Sequence, residues 1–231
     1  MRRVVTWQVE RTKHSDHFGD AWIVQISNVF ADGFGSMSGW PLREVRLALQ
    51  RSNLIGLLRS ANDEIEGYAF FTLPDALLAG TSLLWEDAVC LRKRYQGQGL
   101  TSRPLFDAIR TQLGGKRVGW LGGRTQNPSM LQRYARFGAL YPFDQNYSED
   151  DGADVLSYLL EHIAEVREVE RKLDRTTGIC RAVYSGGRLG DYELRGGAAS
   201  IFDAQLQRWQ FKREQGDAIV AVARLAQPIV G

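Results

Sequence analysis

The sequence predicts an α/β (α+β) fold from three features. "NLIGLLRSANDEIEGYAFFTLP" reads as two strands around Asn62 and Asp63, residues that tolerate the dihedrals of a tight hairpin turn. "SLLWEDAVCLRK", a glycine-punctuated turn, an amphipathic helix and "KRVGWLGG" form strand, helix and strand, the crossover unit that a parallel pair requires. Between Asn127 and Gly138 the start and stop signals of a helix agree: Asn127 as cap, Pro128 at the first helical position, and Gly138 as the stop.

The remaining elements follow in order. Val4 to Val9 alternates as a first strand. Phe18, Trp22, Ile26, Val29 and Phe30 recur at helical spacing over Asp16 to Phe30, with Ser15 or Asp16 as N-cap. "ADGFGSMSGWP" is a flexible connection, and a second helix is expected from about Leu42 to Gln50. Pro74 closes the hairpin. The crossover helix is expected from Leu100 to about Leu113, with Leu105, Phe106 and Ile109 on its apolar face. Met130, Leu131, Tyr134 and Phe137 share one side of the helix from Asn127 to Phe137. The acidic turn "DQNYSEDDGAD" marks a boundary, beyond which Val155, Leu159, Ile163, Val166 and Val169 or Leu173 predict one long amphipathic helix. "GICRAVYSGGRLGDYEL" and "GDAIVAVARLA" read as strands, with a helix near Ile201 to Arg213 between them.

Length and charge bound the function. A chain of 231 residues holds one large domain, or a domain of ~150 residues with an extension. A net charge of +2 does not predict nucleic acid as a partner, since phosphate-backbone binders concentrate far more Lys and Arg on one face. No run of ~18 apolar residues and no apolar stretch of signal-peptide length occurs, so the expected location is cytoplasmic, without a membrane partner. Cys90 and Cys180 lie in apolar, strand-like contexts and read as buried reduced thiols; the three His have no ligand spacing, so no metal is expected.

The functional signal is "RKRYQGQGLTSRPLFDAIR", Arg92 to Arg110. Two glycines thin the backbone just before a helix, where unpaired N–H groups make a nest for an anion. Hydrogen bonds to a charged group contribute ~1.5–3 kcal/mol each, against ~0.3–1 kcal/mol for the helix dipole. Backbone donors therefore dominate the grip. No Walker loop is present, and a dinucleotide fingerprint would want glycine where Ser102 stands.

Here the chain resembles the GNAT superfamily of acyl-CoA-dependent N-acyltransferases, whose signature is Arg/Gln-x-x-Gly-x-Gly/Ala. Arg94-Tyr95-Gln96-Gly97-Gln98-Gly99 satisfies it, while the register starting at Gln96 fails only at Thr101; both keep Gly97 and Gly99. "EIEGYAFFTL" looks like the family's third strand, and "RTQNPSMLQRYARFGA" like its downstream motif of Asn, Tyr and Gly. The resemblance covers about residues 4 to 145. It implies a GNAT-like, mostly antiparallel mixed sheet with a central splayed parallel strand pair, a domain over residues 1–147, and a C-terminal extension over 148–231 acting as a lid, a homodimer contact or a degenerate second half.

What the resemblance implies for the site is specific. Acyl-CoA is the co-substrate: its pyrophosphate would rest on the amides around Gly97, Gln98, Gly99, Leu100 and Thr101, near Arg94 and Gln96, with the pantetheine arm along Val89, Cys90 and Leu91 and bonded by Asn127. Arg92, Lys93, Arg94 and Arg103 are the candidates for the adenosine-side phosphates. Glu86 or Asp87 would take the proton of an amine acceptor, a small molecule or peptide, and Tyr134 would assist the departing thiolate. Phe34, Trp40 and Trp85 would line the acceptor pocket. The competing expectation is a non-catalytic acyl-CoA-binding or regulatory protein on the same fold.

Overall fold

The computed structural model describes residues 5–12, 19–35, 40–144, 149–184 and 202–231, with backbone alone for 40–42, 44, 149 and 150. The chain divides into two compact units: Met1–Leu73 with Glu86–Arg117 and Ile229–Gly231, and Pro74–Trp85 with Val118–Pro228.

The first unit contains β1 (Val5–Arg11), α1 (Asp20–Phe34), α2 (Trp40–Arg51), β2 (Leu54–Ser60) and β3 (Ile65–Thr72). It also holds the end of β4 (Ser82–Leu91) and α3 (Arg103–Arg110). β1, β2 and β3 run antiparallel, in registers from Val5↔Ser60 to Arg11↔Leu54 and from Leu54↔Phe71 to Arg59↔Ile65, with an irregularity at Leu58/Arg59. The hairpin turn is the expected one: Asp63 takes φ 62°. β3 is buried on both faces, and Tyr68 stacks on Phe70 at 4.7 Å between centroids. α3 buries Leu105, Phe106 and Ile109, as its spacing requires.

The second unit contains the start of β4, then β5 (Arg117–Thr125), α4 (Pro128–Ala135), β6 (Gly138–Tyr141), α5 (Glu149–His162) and α6 (Ala164–Arg167). β7 (Ile179–Cys180), α7 (Asp203–Arg208) and β8 (Ala218–Val230) complete it. β6 and β8 pair antiparallel from Gly138↔Leu225 to Tyr141↔Val222, so strand pairing crosses the boundary expected at residue 147. The close approach depends on Gly138, where a Cβ would stand 1.9 Å from the Arg224 carbonyl oxygen. Leu83, Trp85, Trp120, Val155, Leu159, Ile163, Val166, Val220 and Val222 share one buried cluster.

Hydrogen-bonded neighbours follow β1-β2-β3-β4-β5-β8-β6, with β7 beside β8. The sheet is mixed and mostly antiparallel with one parallel pair, as the sequence analysis expected. The adjacent strands β4 and β5 are joined through α3, the connection a parallel pair requires.

Boundaries moved where tertiary contacts intervene. α1 begins at Asp20 with Gly19 as its cap, and the expected caps Ser15 and Asp16 lie outside the described residues. α3 begins at Arg103 rather than Leu100, because the Leu100 carbonyl accepts from the Trp7 indole at 2.7 Å and Pro104 suits only a first turn. The long helix expected to Leu173 breaks at Ile163, which takes extended dihedrals between α5 and α6 and so turns Ile163 and Val166 into the same core. α7 ends at Arg208, followed by Gln210 at φ 54°. Only Ile179–Cys180 of "GICRAVYSGGRLGDYEL" is a strand among the described residues, and residues 185–201 lie outside them.

Among the described residues, no helix is long and apolar enough to cross a membrane, and no group of three His, Cys, Asp or Glu is placed to hold a metal ion.

Candidate functional site

The glycine turn leaves β4 through a single 3-10 turn, Lys93–Tyr95, and reaches α3 through Gln96 to Ser102. Gly97 and Gly99 take φ 75° and 74°, a conformation that glycine adopts without steric penalty. The protein's own donors around the turn are satisfied: Tyr95 N–H bonds Arg92 O, Gln96 N–H bonds Lys93 O, and Ser102 N–H bonds Gly99 O. In between, the amides of Gly97, Gln98, Gly99 and Leu100 donate to no acceptor among the described residues. Thr101 engages in contacts of its own within the protein. A Cβ built on Gly99 meets no heavy atom within 4 Å beyond its chain neighbours, so the space on that side of Gly99 is open. Amides left without a protein acceptor at the entry to a helix are the donors that an anion such as a diphosphate takes.

Several neighbouring side chains are engaged within the protein. The Arg94 guanidinium pairs with Glu66, which is fully buried, and that side-chain bond holds Arg94 above the ordinary guanidinium pKa. Arg92 reaches the same carboxylate at 3.4 Å. Both guanidiniums line an open cavity of about 530 Å³ with Asn28 and Ile65. The Gln96 carboxamide donates to Gly33 O and Leu91 O, each at 3.0 Å, and Gln98 donates to Arg94 O at 2.7 Å. Lys93 contributes its backbone N–H to Asp32 at 2.8 Å, and Arg103 pairs with Asp107 at 3.6 Å on its own helix. Of the residues expected to hold the cofactor here, the backbone of Gly97 to Leu100 is available, the Gln96 carboxamide is spent on two carbonyls, and Arg94 is paired with Glu66 while its side chain stays 48 % exposed.

Along β4, Asp87, Ala88 and Val89 are half-buried within an otherwise buried strand. Cys90 and Leu91 are buried; the Cys90 sulfur lies 3.6 Å from Val29 O, and burial first, then Asp32, pushes its thiol pKa up while Arg92 opposes. Cys90 is therefore an inert reduced thiol, as expected. Glu86 is 4 % exposed. Asp87 Oδ2 accepts from Ser52 at 2.9 Å and from Thr72 at 2.7 Å. Phe34 packs on Phe30 at 4.8 Å; the Trp40 side chain lies outside the described residues.

In the second unit, Asn127 caps α4 by accepting from Ser129 N–H at 3.0 Å. Tyr134, on the inner face of α4, is 1 % exposed, with the Arg133 guanidinium 5.3 Å from its ring centroid. Trp85 departs from its expected place at an acceptor pocket. It is fully buried, and its indole donates to Glu165 at 2.9 Å.

Glu66, Ser52, Thr72 and Asp32 were not among the residues expected at the site. For Glu66 a signal existed: it shares a strand face with Tyr68 and Phe70, and a carboxylate among aromatics implies a buried partner. For the others, ordinary polar residues at element ends, no local pattern marks the role.

No protein-family model matches the chain, and no curated protein matches it. Among solved structures, the chain is similar to an IAA acetyltransferase from Bacillus cereus, at 13% identity and TM-score 0.44, over 95% of this chain and 100% of that one. It is likewise similar to the ribosomal-protein-S18-alanine N-acetyltransferase of Escherichia coli, at 12% identity and TM-score 0.44, over 98% and 96%. A third is a GNAT family N-acetyltransferase of Escherichia coli in complex with CoA, at 16% identity and TM-score 0.39, over 60% and 69%. All three are acetyltransferases by name.

The GNAT signature can be laid on this loop in two registers, and its first position is Arg94 in one and Gln96 in the other. Both side chains bond within the protein, Arg94 to Glu66 and Gln96 to two carbonyls. The positions common to both registers, Gly97 and Gly99, are those that bare the amides.

Proposed function

We propose that this protein transfers an acetyl or other small acyl group from acyl-CoA to an amine of a small molecule or peptide, by direct attack of the amine on the thioester. The observation that carries the reading is the run of four amides, Gly97 to Leu100, donating to no described acceptor, with open space beside Gly99. These amides would bind the diphosphate, and the half-buried stretch Asp87 to Val89 is the part of β4 open to a thioester arm. Bound acyl-CoA supplies the activated acyl carbon and the thiol leaving group.

The chain's own residues have two proton tasks. An alkylammonium has pKa ~10.4 and an α-ammonium ~7.7–8.0, so a base must free the amine near neutrality. Asp87 is the better placed carboxylate, because Ser52 and Thr72 fix its orientation and it is only half-buried, whereas Glu86 is buried. Tyr134 would donate a hydrogen bond to the departing sulfur. Full transfer from Tyr at ~10 to a thiolate at ~8.5 is uphill by roughly 2 kcal/mol, so the bond rather than the proton is the contribution.

A second reading, a non-catalytic acyl-CoA-binding or regulatory protein, is favoured by the near-complete burial of Tyr134 and Glu86. Calorimetric titration with acetyl-CoA and desulfo-CoA tests what both readings share: saturable binding is expected, and its absence with either ligand removes them together. Thiol release on an amine panel then separates enzyme from sensor.

A further inference from the structure

The last turn of α1 is tied at two points to the segment that enters the glycine turn. A helix leaves its final carbonyls without intrahelical donors. In α1, Ala31 O is satisfied by Gly35 N–H, whereas Gly33 O accepts from the Gln96 side chain at 3.0 Å. One residue earlier, the Asp32 carboxylate accepts the Lys93 backbone N–H at 2.8 Å. The approach is close: a Cβ on Gly33 would stand 2.4 Å from Cys90 Sγ and 2.7 Å from Leu91 O. Gln96 also holds Leu91 O, so one carboxamide joins the end of α1, the end of β4 and the residue preceding Gly97.

We propose that Gln96 and Asp32 are positioning residues that couple the Gly97–Leu100 amides to the last turn of α1, and through it to Phe34 at the proposed acceptor side. Neither side chain touches the anion. Gln96 spends its donor on two protein carbonyls, and Asp32, an acid, would repel a phosphate if it faced one. What they transmit is rigidity. When a diphosphate orders the turn, the two bonds order Asp32 and Gly33, and by linkage an acceptor that orders α1 tightens the grip on the nucleotide by the same factor. The inference rests on the acyl-CoA reading above, but its test does not need the acceptor.

Hydrogen exchange is measured on the full chain with and without saturating desulfo-CoA, alongside calorimetry. In the wild type, ligand is expected to slow exchange at the amides of Val29 to Gly35 by about fivefold or more. Gln96→Met keeps the length and removes the donor, and Asp32→Ala removes the acceptor. Each should weaken the slowing, and the double variant should abolish it while saturable binding persists. Asp32→Asn, which keeps a side-chain oxygen for Lys93 N–H, should restore it in an otherwise wild-type chain. Binding by the wild type without protection of α1 overturns the coupling and leaves the acyl-CoA reading standing. Protection that survives in the double variant overturns it too, as does loss of binding in both single variants, since the pair would then belong to the grip itself. A wild type that binds no desulfo-CoA removes both.

Discussion

Trp85 gives its indole N–H to Glu165 at 2.9 Å, and the other oxygen of that carboxylate meets Arg124 at 3.0 Å. Both charged side chains are nearly inaccessible, and the Tyr184 ring lies 5.4 Å from the Arg124 guanidinium carbon. Removing one partner of a buried pair strands the other in low dielectric, at ~3–5 kcal/mol. Glu165→Ala should therefore lower the melting temperature by on the order of 10 °C in a chain of this size. The pair Arg124→Met with Glu165→Leu should recover much of that loss. Thermal melts followed by tryptophan fluorescence measure both, and a silent Glu165→Ala would show that the ion pair contributes nothing.

One backbone donor can be deleted from the glycine turn. Gln98→Pro removes an amide in the middle of the run, and Gln98 is outside the left-handed region that proline could not reach. Loss of one hydrogen bond to a charged group should weaken CoA binding about 10- to 150-fold. Gln98→Ala, which loses only the side-chain bond to Arg94 O, should stay within about threefold. Equal effects in calorimetry would place the grip in the side chain instead.

Catalytic roles separate from binding in steady-state kinetics. Tyr134→Phe and Asp87→Asn should each lower kcat by about 10²-fold or more with the CoA dissociation constant unchanged. Turnover that survives either change would withdraw that residue's role.

Alkaline stability has a defined window. Tyr141 and Tyr158 donate to Arg175 O at 3.2 Å and Ala76 O at 2.8 Å. Burial pushes both phenols up to about 12, with Asp174 adding to the effect at Tyr141. Unfolded tyrosine titrates near ~10, so between the two values the folded state holds protons that the unfolded state has lost. The contribution is complete below about pH 10 and is lost as pH rises through about 12. Unfolding free energy measured across this range should fall with pH in the wild type and fall less in the Tyr141→Phe, Tyr158→Phe double variant; parallel curves would refute the assignment.

Much of the fold was legible locally. The Asn62–Asp63 hairpin, the Asn127–Pro128 helix start and the burial of Leu105, Phe106 and Ile109 follow from turn chemistry, capping and a 3.6-residue period. The bared amides were legible as well, since two glycines six residues or fewer before a helix declare a backbone that side chains do not shield. Trp85 was misplaced because an aromatic near a strand end looks the same whether it lines a pocket or fills a core.

Sequence alone determined that the glycine turn would leave amides unpaired and which type most segments would take, though not their ends, because those outcomes depend on interactions within a turn or a few residues. Tertiary structure decided which side chains are spent. Arg94 meets Glu66 across 28 positions, Gln96 meets Gly33 across 63, and Trp85 meets Glu165 across 80. A buried donor or charge must find a partner, but any carboxylate or carbonyl in reach will serve, and only the packed chain selects which one is there.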